Sequence, residues 1–311
     1  MCYKEKDLIS VIVVSYNSKD YILECLESIY NQTYQNIELI ITDDSSKDET
    51  LDIVREWTDK THDRFLKMAI LSSEINTGVS GNCNRGIFAA HGKWVKLIAA
   101  DDILLPTCLS DSLRFAEGDP LCKVLFSDSI PFRKHIGDVV YKNSKRGLYF
   151  WDESKTANDQ LMMLLRFNRI IASGCFMQLE IIKNLGGFDE SIPNVEDIPM
   201  WIKMTHQGYK LYHLNSSLTG YRLRDDSLTG NTVKYNHISI NQVKQYILIS
   251  EKYRLPLSRG INAIINKVDY YLTKRKIMYY NKSALKFKTV FYISRFWSHS
   301  VKFLSLYIFK S

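Results

Sequence analysis

The chain has 311 residues, 45% of them hydrophobic and 24% charged, with a net charge of +7; it is long enough for one full-sized domain or two smaller ones, and its composition excludes a disordered or fibrous chain. The charge is uneven. Residues 251–311 carry thirteen Lys or Arg against Glu251 and Asp269, so the first 250 residues are net acidic, which excludes a protein wrapped in nucleic acid and leaves an anionic surface as partner of the tail.

Residues 8–14 (LISVIVV) read as a buried parallel strand ending in Ser15-Tyr16-Asn17. Tyr21, Ile22, Cys25, Leu26, Ile29 and Tyr30 then recur with helical spacing. A second buried strand over 37–42 closes on Asp43-Asp44-Ser45-Ser46, and Ser46 with Glu49 forms the pattern of a capping box for a helix with Leu51, Val54 and Trp57 on its inner face. A third strand is expected over 65–71. A loop with Asn76, Gly78 and Gly81 leads into a short helix over 84–90, and an apolar strand over 94–100 stops at Asp101–Asp102. Such a β-α-β-α-β series winds right-handed parallel units, so the expected fold is α/β, a doubly wound sheet with its functional loops along one edge.

Past Pro106 the pattern predicts a strand over 123–126, a hairpin over 132–141 turning at Gly137-Asp138, a helix over 160–167 and an extended stretch over 170–177. A turn over 186–190, a helix opened by Glu196–Asp197 with Pro199 in its first turn, and a last strand over 210–214 follow. Residues 1–230 read as one domain and 231–311 as a helical, basic and aromatic extension. There Val290, Ile293, Trp297, Val301, Leu304 and Ile308 form an apolar stripe, with Lys288, Arg295 and Lys302 on another face. That is the layout of a helix lying on an anionic membrane; a helix docked on the main domain with a solvated basic face is the plainer alternative.

The six cysteines, Cys2, Cys25, Cys83, Cys108, Cys122 and Cys175, have no CxxC spacing and read as reduced core thiols. No charged-then-apolar leader precedes the first strand, and no apolar run reaches spanning length. The expectation is a cytoplasmic protein, peripheral on the inner face of the plasma membrane.

Asp44, Asp101 and Asp102 lie at carboxyl ends of predicted strands, where open α/β sheets bind ligands, and Asp197 opens a helix. Carboxylates gathered there repel unless a cation neutralises them, and Mg²⁺ or Mn²⁺ takes carboxylates together with substrate phosphates. Singly, each has a structural reading: Asp101–Asp102 as a cap for the helix after Pro106, Asp43–Asp44 as turn chemistry, Glu196–Asp197 as first-turn acids, Tyr16 as packing. The order of the segments says more. SVIVVSYN, ECLESIYNQTYQNIELIITDDSS, NTGVSGNCNRGI, GKWVKLIAADDILLP, GGFDE, NVEDIPMWIKMTHQGYKL and YRLRDDSLT, over residues 8–230, resemble the family 2 glycosyltransferases.

The resemblance implies a GT-A fold and an inverting transfer from a nucleoside-diphosphate sugar, UDP-linked, to a saccharide or lipid-linked saccharide hydroxyl in cell-surface polysaccharide synthesis, with no nucleic-acid partner. Carried over, Val14, Ser15, Tyr16 and Asp44 hold the uracil end, Tyr16 stacking on the base. Asn84 belongs to the donor site, Asp101 faces the ribose and Asp102 a divalent metal (Mn²⁺ or Mg²⁺), and Asp197 is the general base. Three departures stand out: Ala99 where the family often has an acid, Cys83-Asn84-Arg85 where it often has Arg-Asn, and Arg224 where it often has His. Arg224 cannot ligate a metal but can clamp a diphosphate. Ala99 and Arg224 also leave a second reading, a non-catalytic nucleotide-sugar binder or scaffold of the same fold.

Overall fold

The computed structural model of the chain describes residues 7–139, 150–166, 168, 170–224, 240–280 and 297. It divides into two compact units, residues 1–161 with 168–230 and residues 162–167 with 231–311.

The first unit is built on a sheet of eight strands in the order β3-β2-β1-β4-β7-β6-β8-β5. Its parallel heart is β1 (Ile9–Ser15), β2 (Ile37–Asp43), β3 (Lys67–Ser72) and β4 (Trp94–Ala99). Val14 of β1 stands opposite Thr42 of β2 and Ala99 of β4, so all three strands end level. Between them run α1 (Ile22–Tyr30), α2 (Thr50–Thr61) and α3 (Gly78–Ala89). β1 and β2 are apolar along nearly their whole length because helices cover both faces: Val11, Val13, Leu39 and Ile41 pack with Cys25, Leu26 and Ile29 of α1. Each such fully buried aliphatic contributes roughly 1.5–3 kcal/mol. On the other face α3 lies so close that a Cβ on Gly86 would sit 2.4 Å from Ile12 Cγ2, and this approach brings the start of α3 to the strand ends.

After the short β5 (Ile103–Leu104) and α4 (Cys108–Gly118), β6 (Val124–Phe132) joins the sheet parallel to the last strand, β8 (Leu211–Arg222). Between them lie α5 (Ala157–Leu164), β7 (Cys175–Gln178), α6 (Leu179–Asn184) and α7 (Asp197–His206). β7 pairs antiparallel with β4 and β6, and β5 antiparallel with β8, giving the mixed, mostly parallel sheet expected of a GT-A fold.

Several local expectations are corrected. Helix α3 starts at Gly78 rather than near Asn84, because its cap is supplied from outside the segment by Asp44. Ser46 does not cap α2: its hydroxyl and N–H both donate to Asp43, and Asp48 Oδ1 accepts the Thr50 N–H at 3.1 Å instead. The helix after Pro106 begins at Cys108 behind Thr107, so the Asp101–Asp102 pair does not cap it. β6 runs unbroken to Phe132, and Asp138 accepts the N–H groups of Arg133, Lys134 and His135 in the turn that follows; the far arm of the expected hairpin lies outside the described residues. β8 is much longer than its apolar start suggested, since pairing with β6 carries it through the polar Asn215-Ser216-Ser217.

The second unit contains α8 (Ile240–Ile249), a π turn over Ser250–Arg254, the short α9 (Leu255–Leu257) and α10 (Gly260–Tyr280). Arg254 stacks over Tyr246 at 4.7 Å, and Asn266 Nδ2 donates to Ser258 Oγ at 2.6 Å. Among the described residues no helix is long and apolar enough to cross a membrane. Apart from Trp297, the apolar stripe over 290–308 lies outside the described residues.

Candidate active site

The level ends of β1, β2 and β4 make a ledge, and neighbouring strands in a sheet are ~4.8 Å apart. Groups on these three ends therefore face a common ligand-sized space, the position at which open α/β sheets bind. At the end of β1, Ser15 Oγ donates to Thr42 O at 3.1 Å and Asp43 Oδ2 at 3.0 Å. Val14 is half-buried behind it and the Tyr16 ring is 50% exposed, unusual for so large a side chain in a laced loop. Asn17 N–H donates to Ser46 Oγ and Asn17 Oδ1 accepts the Lys47 N–H, both at 2.8 Å. Asn17 and Ser45 sit at φ 47° and 69°, a left-handed backbone that non-glycine residues adopt only where the surroundings enforce it.

Asp44 is buried and saturated. It accepts Thr77 N–H at 2.9 Å, Thr77 Oγ1–H at 2.6 Å, Gly78 N–H at 2.8 Å and Arg85 Nη2–H at 3.3 Å. Arg85 also donates to Asp43 O at 3.2 Å and to Asn82 Oδ1 at 2.7 Å, while Asn82 Nδ2 donates to Ser15 O at 3.0 Å. One helix face thus ties together the ends of β1 and β2. Asn84 turns the other way. Its amide donates to Phe188 O at 3.0 Å and Glu190 Oε1 at 2.6 Å and accepts Phe188 N–H at 2.7 Å, stapling the 186–190 turn to α3. Gly187, at φ +73°, has no room for a Cβ, which would meet Asn84 Oδ1 at 2.4 Å.

Asp101 and Asp102 follow β4. Asp102 is 3% exposed; its Oδ1 accepts the Arg222 N–H at 2.8 Å. Burial, and then the charge of Asp101, push its carboxyl up to about 8. Asp101 is more open and meets Arg224 Nη1 at 3.3 Å. Arg222 Nε donates to Asp101 O at 2.8 Å, its Nη2 pairs with Glu24, and its guanidinium lies 4.3 Å over the Phe132 ring. Arg224 lies 4.6 Å over Tyr21. Beneath the pair, the fully buried Lys96 donates to Ser173 O and counters part of the charge on Asp102.

Among the described residues no group of three His, Cys, Asp or Glu could hold a metal ion alone. Two adjacent carboxylates, one buried so deeply that it resists ionising without a counter-charge, do fit a hard divalent cation that completes its shell with substrate phosphate and water.

Asp197 stands at the N-terminus of α7. Its Oδ1 accepts Ile198 N–H at 2.7 Å and its Oδ2 the Asn168 amide at 2.8 Å. Burial raises its carboxyl above the usual range, and the two donors pull it back. Burial and the neighbouring Asp197 push Glu196 up to about 7. Burial pushes the Cys83 thiol of α3 up, and the charges of Glu196 and Asp44 add to that. Val14, Ser15, Tyr16, Asp44, Asp101 and Asp102 thus gather on the ledge with Arg224. Asp197 is held with Asn168 at the start of α7, and Asn84 is turned into the 186–190 turn. Asn82, Lys96, Asn168 and Arg222 were not singled out from sequence. Arg222 had a visible signal in YRLR; a mid-strand lysine, a helical asparagine and a loop asparagine had none.

A mostly parallel sheet with carboxylates at its ligand-binding edge is the architecture of the GT-A fold, which the solved structures below share. The sequence pattern of glycosyl transferase family 2 matches residues 10–180, and the chain belongs to that family; it is a glycosyltransferase. It is 29% identical over 230 residues to the Escherichia coli UDP-Glc:alpha-D-GlcNAc-diphosphoundecaprenol beta-1,3-glucosyltransferase WfaP, covering 73% of this chain and 82% of WfaP. It is 27% identical over 236 residues to the glycosyltransferase MJ1057 of Methanocaldococcus jannaschii, covering 72% of this chain and 74% of that one. Among solved structures it resembles S. aureus TarS 1–349 in complex with UDP-GlcNAc, with a TM-score of 0.63 at 18% identity over 91% of this chain and 79% of that one. The mannosyltransferase PcManGT from Pyrobaculum calidifontis in complex with GDP-Man and Mn²⁺ gives a TM-score of 0.61 at 17% identity over 92% and 74%. The match to full-length TarS spans 44% of that chain.

Proposed function

We propose that the protein transfers a sugar, with inversion, from a UDP-sugar to a hydroxyl of a saccharide or lipid-linked saccharide in cell-surface polysaccharide synthesis. The observation that supports this most is the level ledge that gathers Ser15, Tyr16, Asp44 and the Asp101–Asp102 pair at the ends of β1, β2 and β4. WfaP, whose name gives a UDP-sugar donor and a lipid-diphosphate acceptor, supports the substrate classes.

In this reading the exposed Tyr16 ring stacks on the base beside Val14 and Ser15, Asp44 fixes the loop that receives it, and Asn84 holds the turn over the sugar side. Asp101 faces the ribose and Asp102 would hold a divalent cation. Such a cation supplies positive charge to the diphosphate as it departs. Arg224, next to Asp101, adds a guanidinium to the same leaving group. Asp197 accepts the proton of the acceptor hydroxyl while that oxygen bonds to the anomeric carbon. The bond from carbon to the diphosphate oxygen breaks on the opposite face, its electron pair leaving with UDP. The basic, aromatic extension is proposed to hold the enzyme against an anionic membrane, and removing 285–311 should abolish sedimentation with anionic vesicles.

The test is a panel of UDP- and GDP-sugars with and without Mn²⁺, reading nucleotide release. Release from a UDP-sugar supports the reading. Tight binding with no release on any donor and acceptor would favour the non-catalytic binder, for which Ala99 and Arg224 speak.

A further inference from the structure

We infer that Asn168 is a positioning residue for Asp197, its side-chain amide fixing one carboxylate oxygen so that the base is held in one orientation and in its ionised form. The inference rests on the reading of Asp197 as the general base and adds a residue to it.

Asn168 lies between α5 and β7, outside every motif that the sequence offered. Its Nδ2 donates to Asp197 Oδ2 at 2.8 Å and its Oδ1 accepts the Ile170 N–H at 3.0 Å. These two bonds fix which end of the amide faces the carboxylate, since a flipped amide would set oxygen against oxygen and N–H against N–H. The other oxygen of Asp197 accepts Ile198 N–H at 2.7 Å. Two donors, one from the next residue's backbone and one from a distant segment, thus grip one oxygen each, and each oxygen keeps a lone pair for an incoming hydroxyl proton.

A neutral donor suits this task. It favours the charged form through a hydrogen bond, yet does not drain its basicity as an Arg or Lys partner would. Glu196, next door, receives no side-chain donor among the described residues, whereas Asp197 has a donor on each oxygen, and those donors favour its charged form. Among the described residues, Glu196 and Asp197 act on each other, and Cys83 of α3 feels the Glu196 charge.

The test uses the full chain labelled with ¹³C at aspartate carboxyls, the Asp197 signal being assigned by its absence in Asp197→Asn. Replacing Asn168 by Leu keeps the volume and removes the donor; the Asp197 titration midpoint should rise by about one pH unit, the worth of one hydrogen bond to a charged group. Asn168→Ser, which restores a donor, should give a smaller rise of the same sign. In UDP release from UDP-glucose or UDP-N-acetylglucosamine, the acid limb of kcat/KM should move up with the midpoint while UDP affinity stays constant. An unchanged midpoint in folded Asn168→Leu, or loss of folding in both variants, overturns the inference and leaves Asn168 structural. Turnover retained by Asp197→Asn would instead overturn the base assignment, whatever Asn168 does.

Discussion

The two ends of the site treat their carboxylates in opposite ways. On the nucleotide side, Asp44 is met by the Thr77 and Gly78 backbone, the Thr77 hydroxyl and the Arg85 guanidinium, and Asp43 by Ser15 and Ser46. On the side proposed for reaction, Asp102 is buried with one backbone donor among the described residues, and Glu196 has no partner side chain among them while the charge of Asp197 acts on it. Saturated carboxylates make a rigid cradle before any ligand arrives. Unsaturated ones carry a deficit that a cation or a proton can fill. On the proposed function this is a division of labour: recognition would be precast, and chemistry left electrically incomplete.

The largest effect should follow from breaking the reaction side. Asp197→Asn keeps the shape and removes the base, and UDP release should fall by about 10²–10⁴-fold, the usual worth of a general base, with UDP affinity retained. Lost UDP binding would place Asp197 in the cradle instead. Next comes Asp102→Ala, which should abolish the response to Mn²⁺ in UDP binding while leaving the melting temperature within a few degrees, because the side chain removed was an under-partnered buried acid. A preserved Mn²⁺ titration would take the cation site away from Asp102.

The contrast also explains what was readable in advance. The parallel heart was legible because runs rich in β-branched and aliphatic residues, such as ISVIVVS and IELIITD, suit a sheet buried on both faces, and the acids at their ends fell where such sheets bind ligands. The cradle's wiring was not. Asp44 caps a helix 34 residues downstream, Asn84 staples a turn 104 residues away, and Lys96 is a buried cation in a strand that otherwise reads as apolar. Such bonds have no periodicity, so they leave no local trace. The same holds for Asn168, which becomes meaningful only once α7 lies beside it.

Breaking the cradle should cost stability before activity. Asp44→Ala leaves the α3 N–H groups and Arg85 without their acceptor and should destabilise the folded chain by about 2 kcal/mol, judged from the loss of a helix cap plus a hydrogen bond to a charged group. Urea denaturation reads it. A melting curve like that of the native protein would mean that Asp44 is held for the nucleotide rather than for α3.

The smallest effect tests the electrical deficit through pH. Glu196 is pushed from 4.5 to about 7 by burial and by Asp197, so between those values the folded chain holds a proton that the unfolded chain has released. Stability must then fall as pH rises through that window, and the contribution is fully present only below about 4.5. Asp102, raised to about 8, tilts the curve the same way. Glu196→Gln removes one of these two protons from the balance, so its melting temperature should decline less steeply than the native protein's between pH 5 and 7, the two curves separating as pH rises. The saturated Asp44 offers the control. Asp44→Asn should lower the whole curve, because it replaces an acceptor that four donors meet. Equal slopes for Glu196→Gln and the native protein would show that the reaction side is as well compensated as the nucleotide side.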